Sequence, residues 1–314
     1  MNRILVFAPA EDQRGRAVWL AAALARRTGA ALTLVRVLEE SGSWPAPATG
    51  EAADRLRALV LETERQALAG IADTLRASAK EPLVIETEVH WGVPWEVVIG
   101  LVEARGFDLV VKPARGLSHS GRVFFGVTAL HLFRRCPCPV WVVGDDGHLP
   151  QRILATIDPS PDTTRRAVGT KLLAWAECIR EAGDADLEVV SAWDAPGADA
   201  LKAHLEPAEL DHFVRDAEER AEQGLQSILD ESEAAGCVKR VNLLRGSARD
   251  LVPEFAEDRE FDLIVVGTLG RSGIAGELLG ETAEMILRGV GCSVLAVSPK
   301  HPLPPSATRS GRRA

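Results

Sequence analysis

Residues 261–297 read FDLIVVGTLGRSGIAGELLGETAEMILRGVGCSVLAV. The apolar run Leu263–Val266 has the length and branched-residue content of a strand buried on both faces, and it stops at Gly267. Gly270 follows, then Gly280 opens a segment of helical periodicity, and a second apolar run closes at Val297. Strand, glycine loop and helix N-terminus in succession can hold an anion. Backbone N–H groups converge there, the helix dipole favours negative charge, and glycines let an anion approach the main chain.

The same unit occurs earlier in the chain. Phe107–Val143 aligns without gaps on Phe261–Val297, with 13 identical pairs in 37, among them Phe107/Phe261, Asp108/Asp262, Gly116/Gly270, Gly126/Gly280, Thr128/Thr282 and Cys138/Cys292. Two copies of one fold follow from this. Upstream of the first copy, strands are expected at Arg3–Pro9, Ala30–Leu38 and Leu83–Val89, with helices at Arg14–Arg27, Glu51–Lys80 and Pro94–Glu103. In the second half, strands are expected at Arg152–Ile157, Leu187–Trp193 and Val238–Leu244, with helices over Thr163–Ala182, Glu206–Ala235 and Ala248–Asp258. Strands alternating with helices of this length imply parallel pairing through right-handed crossovers, hence open α/β sheets. In such sheets ligands bind beyond the carboxyl ends of the strands where strand order reverses. The loops after the first and fourth strands of each copy are therefore the expected site.

The 314 residues, 46% apolar and 26% charged, suit two globular domains, and the net charge of −9 excludes nucleic acid as a default partner. No run approaches the roughly 20 apolar residues of a membrane span, and no targeting segment is expected at the start. Five cysteines at irregular spacing fit reduced thiols in a cytoplasm. Cys136-Pro137-Cys138 lacks a second pair of ligands at zinc spacing and reads as structural. No metal site is expected, and no catalytic constellation emerges.

The spacing Gly267-x2-Gly270-x9-Gly280, the duplicated unit, and the segments 131–143 and 267–284 resemble the tandem universal stress proteins, E-type subgroup. The resemblance covers nearly all of residues 1–300. It implies two Rossmann-like α/β domains, over 1–146 and 151–300, each a five-stranded parallel sheet in the order 3-2-1-4-5. It also implies a cytoplasmic stress-response role without catalysis, and a tail over 301–314 is expected to be disordered. By the same resemblance, Asp158, Val266, Gly267, Gly270, Gly280, Glu281 and Thr282 form a nucleotide site in the second domain. The ligand would be ATP or another adenine nucleotide, with Mg²⁺ accompanying it. Pairing of the two domains within one chain is expected through the fifth strands, with a homodimer left open.

One residue departs from the pattern. The family's ATP binders carry Ser or Thr after the third glycine, and here Glu281 stands there. A carboxylate aimed at a phosphate repels it, and Thr282 lies ~100° further round the helix. The ligand's charge at that point is thus left open. In the first domain Pro113 replaces the first glycine, Lys112 precedes it, and Pro9 stands where Asp158 does. A proline removes a donor from the cradle, so this copy is expected to be a structural partner. A ligand-free scaffold and an ATP-hydrolysing or nucleotide-transferring enzyme stand as the alternative readings.

Overall fold

A computed structural model describes residues 1–10, 12, 15–39, 50–78, 81–114, 125–144, 147–268 and 279–305. They divide into two compact units, one from the described residues of 1–149 with 304–305, the other from those of 150–303.

The first unit runs β1 (Arg3–Phe7), α1 (Arg16–Thr28), β2 (Ala31–Leu38), α2 (Glu51–Ala77), β3 (Ile85–Trp91), α3 (Pro94–Arg105), β4 (Leu109–Pro113), α4 (Gly126–Arg135) and β5 (Val140–Val143). Its strands are parallel and lie in the order β3-β2-β1-β4-β5. The second runs β6 (Arg152–Ile157), α5 (Thr163–Gly183), β7 (Asp186–Trp193), α6 (Ala198–Leu201), α7 (Pro207–Asp230), β8 (Val238–Arg245), α8 (Ala248–Asp258), β9 (Leu263–Gly267), α9 (Glu281–Gly289) and β10 (Ser293–Val297). Its order, β8-β7-β6-β9-β10, repeats the first unit's, again all parallel. The expected tandem α/β architecture is what the chain adopts.

Burial explains which runs became which strands. Every residue of β4, β5 and β10 is buried, as are four of the five in β1 and in β9, because helices cover both faces of a parallel sheet. By contrast β8, VKRVNLLR, has no fully buried residue and carries charge outward, which suits a strand with one unpaired edge.

The repeated Phe-Asp pair has a structural cause. Asp262 Oδ2 accepts hydrogen bonds from the backbone N–H of Gln151 and Arg152, each at 2.8 Å, just where β6 begins. Asp108 Oδ2 does the same for Asn2 and Arg3, at 2.5 and 3.0 Å. Beside them, the guanidinium carbon of Arg152 lies 4.9 Å from the centre of the Phe261 ring, and that of Arg3 lies 4.8 Å from the Phe107 ring. The carboxylate fixes the start of the first strand relative to the fourth, and the cation covers the ring.

The segment after β10 corrects one expectation. Disorder was expected from His301 onward, but His301 is only 2% exposed, and its Nδ1 accepts from the Ser298 N–H at 2.9 Å. Lys171 on α5 donates to the carbonyls of Pro299 and His301 at 2.5 and 2.7 Å, and Trp175 Nε1 donates to Pro302 O at 3.0 Å. Residues 299–302 are thus strapped along α5 by groups on that helix. Residues 306–314 lie outside the described residues.

Candidate functional site

β6 delivers Asp158 at its carboxyl end, and the chain turns at once through Pro159-Ser160-Pro161. Asp158 Oδ1 accepts from the Ser160 N–H at 3.0 Å, an Asx-turn, while Oδ2 takes a charge-assisted bond from Arg165 at 2.5 Å. Asp162 then caps α5, accepting from the Arg165 N–H at 3.0 Å. A turn role for Asp158 does not exclude a ligand role. The turn uses one oxygen, and the other stands at the rim with a cation beside it.

β9 delivers Val266 and Gly267. A side chain at Gly267 would meet Val168 Cγ1 at 3.2 Å, so this glycine lets α5 pack closely against the strand end. Gly280, with φ −60° and ψ 140°, is the residue before α9, and its conformation is open to other residues. Gly270 and Arg271 lie outside the described residues.

Between these elements lies a cavity of about 490 Å³ at the carboxyl ends of β6, β7, β8 and β9. That is the place where strand order reverses, since β6 has β7 on one side and β9 on the other. Asp158, Val266, Gly267, Gly280 and Thr282 all line it. Its floor is apolar, from Val168, Leu172, Val190, Val252 and Ile286, and its polar rim holds Asp158, Arg165, Asp194, Ser247 and Arg249. A floor for a flat ring and a few oriented polar groups at the mouth is the usual make-up of a small-molecule site.

Glu281 is not part of the cavity wall. Its side chain is 83% exposed, and its ion-pair partner is Arg249, with Nη1 3.8 Å from Oε1. The ~100° step per residue that counted against Thr282 instead carries Thr282 to the cavity side of α9 and turns Glu281 outward. Ala283, Ile286 and Leu287 are the buried face that fixes this rotation. The expected head-on repulsion between Glu281 and a ligand anion therefore lacks its geometry.

Sequence reasoning missed Arg165, Asp194, Ser247 and Arg249. It weighed the loops after the first and fourth strands, while Asp194, Ser247 and Arg249 follow the second and third, which end at the same rim, and Arg165 lies just past the first loop in the opening turn of α5. The available signal was GSARD at 246–250, where Gly246, at φ 137°, turns the chain directly from strand to helix.

The corresponding residues of the first unit are arranged differently. Lys112 is buried and its Nζ donates to the Pro113 carbonyl. Gly126 opens α4 with φ 73°, a left-handed conformation that its counterpart Gly280 does not share. Trp95 stacks on His131 with ring centres 4.5 Å apart, and Arg135 lies 5.2 Å from the Trp95 ring centre, a packed aromatic–cation stack. Cys136 and Cys138 are buried thiols with Sγ atoms 3.7 Å apart. The hydrogen bond to Cys136 and burial push the Cys138 thiol well above its usual range, which makes it a poor nucleophile or ligand. Among the described residues, no group of three or more His, Cys, Asp or Glu is placed to hold a metal ion.

Comparison with known proteins gives the same picture. The chain is 28% identical over 221 residues to universal stress protein E of Escherichia coli K12, covering 68% of each chain. It is 24% identical over 319 residues to the universal stress protein E homolog of Haemophilus influenzae, covering 95% of this chain and 97% of that one. The structure of a putative universal stress protein from Pseudomonas aeruginosa UCBPP-PA14 superposes with a TM-score of 0.68 at 21% identity, covering 96% of this chain and 94% of that one. The model of the universal stress protein family matches twice, over residues 1–144 and 150–298, once on each five-stranded unit, and the chain belongs to that family as a tandem member.

Proposed function

We propose that this protein is a cytoplasmic stress-response factor that binds an adenine nucleotide, or a closely related small ligand, in its second unit. One observation carries the reading: five residues singled out by the motif line a single cavity at the strand-order reversal. The apolar floor suits the base, and Asp158 and Asp194 are acceptors for amino and hydroxyl groups at the rim. The first turn of α9, with its N–H groups and Thr282, suits an anionic arm. A volume of about 490 Å³ lies within the range of cofactor sites. Mg²⁺ would enter with a polyphosphate, and the rim carboxylates are oxygen ligands of the kind it prefers. Among the described residues no helix is long and apolar enough to cross a membrane. We read the site as one for binding and not for turnover, since among the described residues the cavity wall presents no lysine to a transferring phosphate.

The test is calorimetric titration of the full chain with ATP, ADP and AMP, alongside mass spectrometry of ligand carried through purification. Saturable binding lost in Asp158→Ala is expected. No binding of any adenine nucleotide, with nothing co-purified, would leave the scaffold reading. Steady phosphate release abolished by changes at Gly267 would instead establish an enzyme.

A further inference from the structure

The first turn of α8 breaks a local rule. Arg249 stands there, at the positive end of the helix dipole, where a cation is disfavoured. Local violations of this kind are expected where function or strain overrides foldability. Among the described residues, two contacts hold the side chain. Its Nε donates to Ser247 Oγ at 3.2 Å, and its Nη1 lies 3.8 Å from Glu281 Oε1. Ser247 is the residue before α8 and makes no capping bond, so its hydroxyl serves the guanidinium and not the helix. Glu281 comes from the first turn of α9, a different element, and α8 and α9 pack so closely that a side chain at Gly289 would meet Pro253 Cγ at 2.7 Å. The guanidinium thus lies between two helix N-termini. Arg249 lines the cavity and Glu281 does not.

Resting on the nucleotide reading of this cavity, we propose that Arg249 is the cation that receives the ligand's phosphate arm, and that Glu281 is an exchangeable counter-ion holding it until then. The charges support the exchange. Without a ligand, a cation facing two positive helix ends needs an anion, and Glu281 supplies it from outside the cavity. The pair is loose, at 3.8 Å, with side chains 47% and 83% exposed, so water screens it and little is lost on parting. A phosphate at the mouth offers shorter, charge-assisted bonds to the same guanidinium, with the α9 N–H groups on its other side. Glu281, already turned toward solvent, has only to swing away. This also accounts for a carboxylate at the position where the family's ATP binders carry a hydroxyl. The residue balances the charge of the neighbouring arginine and makes no contact with the ligand.

The experiment measures Kd by calorimetry for adenosine, AMP, ADP and ATP in wild type, Glu281→Gln, Arg249→Gln and the double variant, with tripolyphosphate as a base-free probe. Glu281→Gln is expected to bind ATP about two- to fivefold more tightly, the range of an exposed ion pair released. Arg249→Gln should bind ATP about tenfold or more weakly while leaving adenosine unchanged. In the double variant the gain from Glu281→Gln should vanish, because there is no arginine left to free. An ATP affinity unaffected by Arg249→Gln would overturn the proposal and leave nucleotide binding standing. If no adenine compound binds but tripolyphosphate does, dependent on Arg249, the nucleotide reading fails and the anion role stands. If tripolyphosphate also fails to bind, both fall. Native far-ultraviolet spectra and unchanged melting temperatures for each variant separate these outcomes from misfolding.

Discussion

Gly224 lies inside the 24-residue helix α7, and two physical arguments give opposite signs for replacing it with alanine. Propensity says the change should help, since glycine in a helix interior costs ~0.5–1 kcal/mol relative to alanine. Packing says the reverse. A methyl group built at Gly224 would lie 2.0 Å from the Pro159 carbonyl oxygen and 3.0 Å from its carbon. Ordinary contact begins at 3.4 Å, so one backbone segment must retreat by more than ~1 Å, and neither has a flexible end that could give way. Overpacking of this kind costs ~1–3 kcal/mol, which outweighs the propensity gain and leaves a net loss of about 1–2 kcal/mol in the second unit. For a unit of this size that is a fall in melting temperature of roughly 2–8 °C. Pro159 follows Asp158 and lines the cavity, so the same displacement should weaken any ligand held there. Calorimetric melting and urea denaturation followed by tryptophan fluorescence measure the stability. Gly70→Ala in α2 is the internal control: nothing lies within 4 Å of the added methyl, so it should stabilise by up to ~1 kcal/mol. A Gly224→Ala chain as stable as wild type, or more so, would refute the packing argument.

Three further outcomes are expected. Thr282→Val keeps the side chain's shape but removes the hydroxyl on the cavity wall; it should weaken ATP binding about fivefold, read by calorimetry, and an unchanged Kd would remove Thr282 from the site. Lys171→Met removes the two bonds to Pro299 and His301 and should cost ~1.5–3 kcal/mol, with faster hydrogen exchange over residues 299–303; unchanged exchange there would show that the strap is held otherwise. Glu88 and Glu177 should make stability acid-sensitive. In each, burial pushes the carboxyl up, but it is outweighed, by hydrogen bonds and charge from His90 and Arg105 at Glu88 and from Arg180 and Cys237 at Glu177. Both therefore titrate below their unfolded value of about 4.3. Their contribution is present above that pH and is lost as pH falls through the folded value. The double variant Glu88→Gln, Glu177→Gln should show a flatter decline of urea midpoint between neutral pH and about pH 3, and a decline as steep as wild type would assign the acid sensitivity elsewhere.

The ladders were legible because a strand covered on both faces must be a continuous apolar run, and the apolar letters at 109–111, 140–143, 263–266 and 294–297 leave little choice, though β4 runs on through Lys112 and Pro113. Edge strands and helix ends were less so. The third strand reads as Leu83–Val89 from its apolar letters, yet it runs Ile85–Trp91. Leu83 is buried outside the ladder, while His90 and Trp91 pair with Val37 and Leu38. Likewise the helix expected over Glu206–Ala235 stops at Asp230, and the apolar spacing continues only because the short turn Glu233–Cys237 buries Ala234 against the same core. The glycines of the site were legible from their spacing. The direction of side chains around them was not, because rotation of α9 is set by the burial of Ile286 and Leu287 and not by anything at Glu281.

The duplication separates what both units need from what one unit adds. Identity between the two halves marks needs that both units share, and several of those belong to the scaffold. Asp108 and Asp262 hold strand starts, and Phe107 and Phe261 lie under arginines. Even a shared glycine can serve different ends, since Gly126 adopts a left-handed conformation and Gly280 does not. A ligand site proposed for one unit draws some of its residues from letters the other lacks, beside shared ones such as Gly280 and Thr282. Asp158 against Pro9 and Gly267 against Pro113 are differences of this kind. Glu281, first read as a defect in a phosphate cradle, is another. It aligns with Val127, an exposed apolar residue, whereas Glu281 stands 3.8 Å from a guanidinium that lines the cavity. An exposed carboxylate beside a cavity-facing arginine is what an exchangeable counter-ion requires, and its place in the first turn of α9, where the helix dipole favours a negative charge, suits it in both the paired and the released state.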